Sequence, residues 1–333
     1  MKRHRMVALL AILIAVFSGP STAVALDKFK FLYSPIAWQS LPWWMAKEAK
    51  LFEKNGLDVD IFFEGASSVI VQAMLAGELG MAGLAGPAVI SNVLKGGDII
   101  QVAAVVKTFT IPMYVQPSIT ELAQLRGKKI GVSRFGSVSH LTAQAVLQRA
   151  GITDVTIIQT GGIPESTAAL SSGNVAGAMV PPPQSVLLRE KGFRELVGIQ
   201  QLREMNIRFV ENGIAARRSY AEKNSETVKR FMKAAFEGLK KMYDDKEFTL
   251  RVIAKYTKIN DPKMLEESYR FAIDAFAKDP RVPPEALEAL IEQMISLKTI
   301  DPADAKKTPI AAYYDNRYIE ELDKEGFFKK LWQ

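Results

Sequence analysis

Two segments of the chain repeat one local pattern, in which an amphipathic helix ends at a glycine and a short strand of small apolar residues follows. The segments are 73–82 and 169–178, and their glycines, Gly77 and Gly173, lie 96 residues apart. Glycine tolerates the left-handed conformation that closes many helices, so each segment resembles the second half of a helix-to-strand unit. The repeat predicts two similar α/β lobes. Because a cleft between lobes commonly holds a small molecule, the repeat points to binding before catalysis.

The first 25 residues have the pattern of a secretory signal peptide. Three basic residues among the first five precede an apolar run over 6–17, and Ala23-Val24-Ala25 has the small-x-small pattern of a cleavage site. The alternative is a membrane anchor, but the run is shorter than the roughly 20 apolar residues that a spanning helix needs. We therefore expect a signal peptide over 1–25, cleaved after about Ala25, and a mature protein in the periplasm.

The remaining chain has the size and composition of a folded two-lobed protein. The full sequence has 333 residues, of which 48% are hydrophobic and 24% charged, and these fractions are typical of globular proteins. Loss of the leader removes three basic residues and no acid, so the net charge falls from +7 to +4. No basic stripe interleaves with aromatic residues, so we expect no nucleic-acid partner. The chain has no cysteine for a disulfide or a lipid anchor, and we expect a soluble monomer.

Strand and helix patterns alternate along 28–106, which is the signature of an α/β fold. A second α/β series begins near Lys128, and a strand over 207–216 carries the chain back to the first lobe. From Ser225 onward, long helices rich in Lys and Glu follow. We expect them to pack on the first lobe, with a separate helical domain as the alternative. The predicted division is lobe 1 over 26–115 and 211–333 and lobe 2 over 116–210, with two crossings that form a hinge.

Catalytic side chains are scarce in this sequence. After the leader the only histidine is His140, and without a thiol a Cys-His pair is excluded. A zinc site is implausible without a second histidine or a cysteine. Neither the dinucleotide-binding fingerprint nor the Walker lysine motif is present. We therefore name no catalytic residue, no metal ligand and no cofactor, and we expect a protein that is not an enzyme.

Turns that lead from a strand into a helix are the best candidates for a ligand site. Helix N-termini expose unpaired amides and a partial positive charge, which suits a carboxylate or sulfonate. In open α/β sheets the ligand crevice lies at the carboxyl ends of the strands, where these turns fall. Each serine in them has a purely structural alternative as an N-cap. The candidates in these turns are Ser67, Ser68, Gly86, Ser137 and Ser139.

Three further residues complete the predicted site. Arg134 follows a strand of the second lobe and offers a fork of donors for an anion, although a surface arginine is the alternative. Trp38, just after the first strand, has a ring that could stack on a ligand. Thr108 stands at the presumed crossing between the lobes.

Several segments of the chain resemble one known family. They are the leucine-proline pair at 41–42, the Ala-Lys-Glu triplet at 46–48, and the stretches 51–59, 72–78 and 125–132. These stretches are similar to the periplasmic solute-binding proteins of ABC importers for nitrate, sulfonates, taurine and thiamine precursors. The resemblance covers roughly 28–220. It implies a two-lobed periplasmic-binding-protein fold of type II, in which the lobes close on a solute and then dock on membrane permease subunits. Where the family often has an acid after the glycine turn, this chain has Gly80 and Ala176, and we assign no function to those two positions.

The resemblance leaves two questions open. Enzymes of the same fold, a pyrimidine synthase and a desulfinase, rely on cysteine, which this chain lacks. A ligand-sensing domain is a third possibility, disfavoured because no DNA-binding segment is present. For the solute itself the helix N-termini and Arg134 favour a small organic anion. The second candidate is an aminopyrimidine held by Trp38 and by an acid such as Glu64 or Glu165.

Overall fold

Strands and helices alternate through the first part of the chain, as the sequence predicts. A computed structural model describes residues 26–65, 67–205 and 209–333, so the predicted signal peptide lies outside the described residues. A 3-10 helix, Trp38–Ser40, follows the first strand. The elements of this part are β1 Asp27–Tyr33, α1 Leu41–Glu48, α2 Leu51–Lys54, β2 Leu57–Phe63, α3 Ser67–Leu75, β3 Met81–Leu84, α4 Gly86–Leu94 and β4 Ile99–Val106.

The middle of the chain repeats this alternation. A second 3-10 helix, Leu122–Leu125, precedes its first parallel strand. The elements are β5 Met113–Val115, β6 Lys129–Val132, α5 Val138–Arg149, β7 Thr156–Gln159, α6 Ile163–Ser171, β8 Gly177–Met179, α7 Gln184–Glu190, β9 Arg194–Val197, α8 Ile199–Glu204 and β10 Asn212–Arg217.

The strands form two five-stranded sheets of matching design. The first has the order β2-β1-β3-β10-β4 and the second the order β7-β6-β8-β5-β9. In each sheet the first three positions are parallel, and the fourth strand, β10 or β5, runs antiparallel to both neighbours. Each antiparallel strand comes from a segment in which the chain passes from one lobe to the other. The carboxyl ends of the parallel strands therefore lead into helices beside the two crossings.

The boundary between the lobes lies earlier than the sequence predicts. We expected residues 113–115 to end lobe 1, but β5 pairs with β8 and β9 of the second sheet, with Tyr114 opposite Ala178. The physical reason is that a short apolar strand can complete either sheet. Its partner lies more than 60 residues away in the sequence, where no local pattern identifies it. The first crossing is therefore the segment 107–112 between β4 and β5.

The two glycine turns, at Gly77 and Gly173, have the predicted conformation. Gly77 follows α3 with φ +83°, and Gly173 follows α6 with φ +78°. Both values lie in the left-handed region that favours glycine. A short buried strand follows each turn, β3 in the first sheet and β8 in the second. The prediction of two similar helix-glycine-strand units is confirmed.

The last third of the chain is helical and packs mainly on the first sheet. Helix α10 buries Phe231, Ala235 and Leu239, as its sequence pattern predicts. The Phe231 ring lies 4.5 Å from that of Phe31 in β1. In the part of the chain that the structure describes, no helix is long and apolar enough to cross a membrane. The helices are α9 Arg218–Lys223, α10 Ser225–Asp244, α11 Lys246–Thr257, α12 Pro262–Ala275, α13 Pro284–Ser296, α14 Pro302–Lys307, α15 Arg317–Lys324 and α16 Phe327–Leu331, with a 3-10 helix at Ile310–Ala312.

Candidate functional site

A cavity lies between the two sheets, where helix N-termini of both lobes meet. Ser67 at the start of α3 and Ala85 before α4 line it from the first lobe, and Ser137 before α5 and Ile163 at the start of α6 line it from the second. The cavity offers about 50 Å³ that the centre of a water molecule can reach. By this measure one water needs about 10–15 Å³, so the space suits a solute of a few heavy atoms.

Three serine hydroxyls form a triangle on the wall of the second lobe. The Oγ atoms of Ser133 and Ser137 are 3.0 Å apart, those of Ser133 and Ser139 2.9 Å, and those of Ser137 and Ser139 3.0 Å. All three residues are buried and line the cavity. Ser137 is the N-cap of α5, as predicted, and its hydroxyl donates to the carbonyl of Arg134 at 2.7 Å. Ser133 in turn donates to Ser137, so the hydroxyl hydrogen of Ser139 is the one that can turn toward a solute.

The opposite wall belongs to the first lobe and holds amide side chains. Gln39 and Asn212 both line the cavity, and the Nδ2 of Asn212 donates to the carbonyl of Gln39 at 3.2 Å. Ser67 accepts from the backbone N–H of Ala85 at 3.3 Å, which ties the start of α3 to the start of α4. This wall therefore offers hydrogen-bond donors and acceptors on a frame that is already held together.

A buried carboxyl, Glu211, stands on the same wall. Its side chain accepts from the Nε2 of Gln39 at 3.1 Å and from both the backbone N–H and the hydroxyl of Thr110. It joins three segments, because Gln39 lies near the first strand, Thr110 on the first crossing and Glu211 at the end of the return crossing. Burial raises the pKa of Glu211 from 4.5 to about 7, and the three hydrogen bonds oppose that rise only in part.

Sequence reasoning missed Glu211, although a signal was present. The strand predicted over 207–216 was correctly expected to return the chain to the first lobe, and β10 does so from Asn212 onward. Glu211 is the one acid in the last part of that segment, between Phe209-Val210 and Asn212. An acid that directly follows apolar residues such as Phe209 and Val210 needs partners or a ligand if it is buried, because an unpaired buried carboxylate is costly. That reasoning, applied to the crossing, would have found it.

Three of the eight predicted site residues line the cavity: Ser67, Ser137 and Ser139. Trp38 does not, because its ring is wholly buried and packs against the rings of Phe271 and Phe276 at 5.1 and 5.3 Å. It cannot stack on a solute in this arrangement, and the neighbouring Gln39 lines the cavity instead. The hypothesis of a pyrimidine held by Trp38 loses its main contact.

Gly86 serves packing rather than the cavity. Its N–H donates to the carbonyl of Val210 at 2.9 Å, and a Cβ at this position would lie 2.9 Å from the same oxygen. A side chain here would push α4 away from the returning chain. The preceding residue, Ala85, is the one that lines the cavity.

Ser68, Thr108 and Arg134 also lie outside the cavity lining. Ser68 shares a separate surface groove with Phe135 and Gly136 of the second lobe. Thr108 is half-buried, and Thr110 two residues later binds Glu211 instead. The carbonyl of Arg134 accepts from the hydroxyl of Ser137, while Arg134, which is half-buried as a residue, is not among those that line the cavity.

The two acids considered beside Trp38 are also elsewhere. The carboxylate of Glu64 accepts from the next backbone N–H, that of Gly65, at 2.6 Å. Glu165 is exposed on α6. The acid at the cavity is Glu211, on a different crossing of the chain.

The lobes touch each other around the cavity. The Nε2 of Gln184 in α7 donates to the carbonyl of Ile36 at 3.2 Å. At the mouth, Gly65 and Gly161 approach so closely that a Cβ on Gly65 would lie 2.8 Å from the carbonyl oxygen of Gly161. The Nε2 of Gln148 in α5 also donates to the Oγ of Ser296 at 2.7 Å. This is a closed arrangement of the two lobes.

Comparisons with known proteins agree with this architecture. A family model described as NMT1/THI5 like matches residues 38–247. A protein of Brucella abortus strain 2308, named as a candidate binding protein, is 27% identical over 265 residues, which cover 78% of this chain and 81% of that protein.

Two solved structures are similar over most of their length. The alkanesulfonate-binding protein of Xanthomonas axonopodis pv. citri, bound to MOPS, superposes with a TM-score of 0.72 at 16% identity. The superposition covers 83% of this chain and 94% of the other chain. The periplasmic nitrate-binding protein of Synechocystis PCC 6803 superposes with a TM-score of 0.74 at 13% identity, over 91% and 89% of the two chains. At these identities the likeness shows the fold, which is that of the periplasmic binding proteins.

Proposed function

The chain belongs to the NMT1/THI5-like family, and from that membership and its fold we propose that it is the solute-binding component of an ABC importer. In this role the lobes close on a solute at the cavity, and the closed protein delivers it to permease subunits in the inner membrane. The proposal includes export to the periplasm by the leader over 1–25 and action as a monomer.

We propose a small organic anion, such as a sulfonate or a carboxylate, as the solute. The observation that carries this is the serine triangle at the N-terminus of α5. The Ser139 hydroxyl lies in the first turn of this helix, where the partial positive charge of the helix N-terminus favours an anion. Ser67 at the start of α3 adds a second helix N-terminus from the other lobe. The two similar solved proteins are named for binding an alkanesulfonate and nitrate, which supports an anion as the solute.

We propose binding without catalysis. His140, the one histidine of the sequence after the leader, packs edge-on against Phe135 and accepts from the N–H of Gly136 through Nδ1. Burial lowers its pKa, and it is not among the residues that line the cavity. Recovery of a chemically changed solute after incubation with the purified protein would contradict this part of the proposal.

Calorimetry with residues 26–333 tests the anion site, with ethanesulfonate and propionate as probes. We expect saturable binding, and we expect Ser139→Ala to weaken it about tenfold or more, because a hydrogen bond to a charged group contributes roughly 1.5–3 kcal/mol. Ser172→Ala is the matched control, since Ser172 is exposed at the end of α6. Binding that is equally strong in the Ser139 variant would remove the serine triangle from the site.

A further inference from the structure

Among the residues that the structure places around the cavity, Glu211 is the one with an ionisable side chain. It is 4% exposed, and its neighbours in the lining are serines, amides and apolar residues. A solute anion held there has no lysine or arginine of the described lining to neutralise it. The charge state of Glu211 therefore decides whether the cavity attracts or repels an anion.

The hydrogen bonds of Glu211 leave one position open. Oε1 accepts from the Nε2 of Gln39 and from the hydroxyl of Thr110, while Oε2 accepts from the backbone N–H of Thr110. A carboxylate offers about four acceptor sites, so a single site remains, on Oε2. A proton at this site leaves all three existing hydrogen bonds in place. The protonated carboxyl then has one O–H donor to offer.

Among the residues that the structure describes, no other charge accounts for the state of Glu211. Burial is the main cause of its raised pKa, and Thr110 and Gln39 are the groups that oppose it. The nearest basic residue along the first crossing is Lys107, whose charge interacts with Asp279, Arg281 and Glu285. From the cavity side the groups are the neutral hydroxyls of the serine triangle and Ser67, the amide of Asn212 and the hydrocarbon of Ile163.

We propose that this site captures its anionic solute together with one proton, which Glu211 holds and presents to the solute as an O–H donor. The inference rests on the proposed anion-binding function. The proton comes from the solvent and stays on the Glu211 carboxyl, so no covalent bond of the solute changes. An O–H donor beside an anion makes a charge-assisted hydrogen bond, whereas an ionised Glu211 would repel the same solute. Because the pKa of Glu211 lies near 7, the coupling operates in the neutral range.

Calorimetry in two buffers of different ionisation enthalpy counts the protons exchanged. With ethanesulfonate and propionate as probes, we expect uptake to rise from near zero at pH 5.5 toward one proton at pH 8. Affinity should fall about tenfold for each pH unit above 7. Binding of both probes without proton uptake at pH 8 would overturn the inference and leave the proposed function intact. If neither probe binds at any pH, the proposed function falls, and the inference with it.

Glu211→Gln supplies a permanent N–H donor in place of the titrating group, while its amide nitrogen cannot accept the N–H of Thr110 as Oε2 does. We expect its affinity for ethanesulfonate to be independent of pH from 5.5 to 8 and about tenfold higher than that of the wild type at pH 8. Glu204→Gln, an exposed glutamate on α8, is the control and should keep the wild-type pH profile. If the Glu211 variant does not fold, the proton count on the wild type still tests the proposal by itself.

Taurine, which carries an ammonium group as well as a sulfonate, gives a further test. Tighter binding of taurine than of ethanesulfonate, with protons released, would mean that Glu211 acts as a carboxylate on the ammonium group, and would overturn the proposal.

Discussion

At the scale of single residues, Glu211 makes the stability of the fold depend on pH, in addition to its proposed effect on solute binding. Folding raises its pKa from 4.5 to about 7, so the folded chain holds the proton more tightly than the unfolded chain. The stabilisation from this group is complete below pH 4.5 and is lost as the pH rises through 7.

We expect this to appear as a difference between the wild type and Glu211→Gln. Relative to the variant, the free energy of unfolding of the wild type should fall by roughly 3 kcal/mol between pH 4.5 and 7.5. Urea titrations at four pH values measure it, with Glu204→Gln as the control. Parallel curves for the wild type and Glu211→Gln would show that the carboxyl titrates equally in both states.

The predicted residues that line the cavity obey a local rule, and the missed ones do not. Ser67, Ser137 and Ser139 lie where a strand turns into a helix, and the preference of serine for helix N-termini identified them. Trp38 fails because whether a tryptophan faces a cleft or the core depends on which helix covers it, here α12. Glu211 was missed because burial and its partners, Gln39 and Thr110, are set by chain segments far away in the sequence.

At the scale of elements, close contact between two helices holds the C-terminal part on the first lobe. A Cβ on Gly238 of α10 would lie 2.6 Å from the carbonyl oxygen of Pro42 and 2.9 Å from the backbone nitrogen of Ala46 in α1. Glycine is a poor helix former, so its presence inside a helix of 20 residues needs a reason. The reason here is the approach of α1.

Gly238→Ala therefore sets two effects of opposite sign against each other. Helix propensity favours alanine by about 1 kcal/mol, while a forced shift of packed backbone costs about 1–3 kcal/mol. We expect the packing cost to dominate, because the clashing atoms belong to the backbone of α1, and the thermal midpoint to fall. Differential scanning calorimetry decides the matter, and a higher midpoint for the variant would show that α10 and α1 can separate without cost.

The elements themselves were easier to predict than their pairing. The helix-glycine-strand units at Gly77 and Gly173 follow from hydrophobic periodicity and from the conformational freedom of glycine, which are local properties. The predicted division places residues 113–115 in lobe 1, whereas they form a strand of the second sheet. Strand pairing depends on contacts between distant segments, and a three-residue apolar strand carries too little pattern to specify its partner.

At the scale of the whole molecule, closure brings Gly65 and Gly161 together at the mouth of the cavity. Gly65 has no left-handed φ, so alanine suits its backbone, but the added Cβ would meet the Gly161 carbonyl at 2.8 Å. We expect Gly65→Ala to weaken ethanesulfonate binding about tenfold, as a strain of 1–2 kcal/mol in the closed state alone would do. Small-angle scattering should show less compaction of this variant on addition of the probe than of Ser172→Ala. Full compaction with unchanged affinity would contradict a role for this contact in closure.

The two-lobed design was predictable because its evidence is repeated in the sequence. A single helix-to-strand unit predicts only an α/β protein, whereas two units predict two lobes and a cleft between them. The return of the chain to the first sheet was also predictable, because an apolar strand follows the second α/β series and β10 starts at Asn212. How far the cleft closes depends on tertiary contacts such as that of Gln184 with Ile36, which no local pattern encodes.

The 96-residue offset of the two glycine turns extends to the cavity itself. Gly65 and Gly161 are related by it, and so are Ser67 and Ile163, the first residues of α3 and α6. The two lobes thus meet like the halves of an isologous dimer fused into one chain, with the cavity near the pseudo-twofold axis. A perfectly symmetrical cavity would treat both ends of a solute alike. The hydroxyl of Ser67 and the hydrocarbon of Ile163, at matching positions, break that symmetry, so the two lobes present different groups to the two ends of a solute.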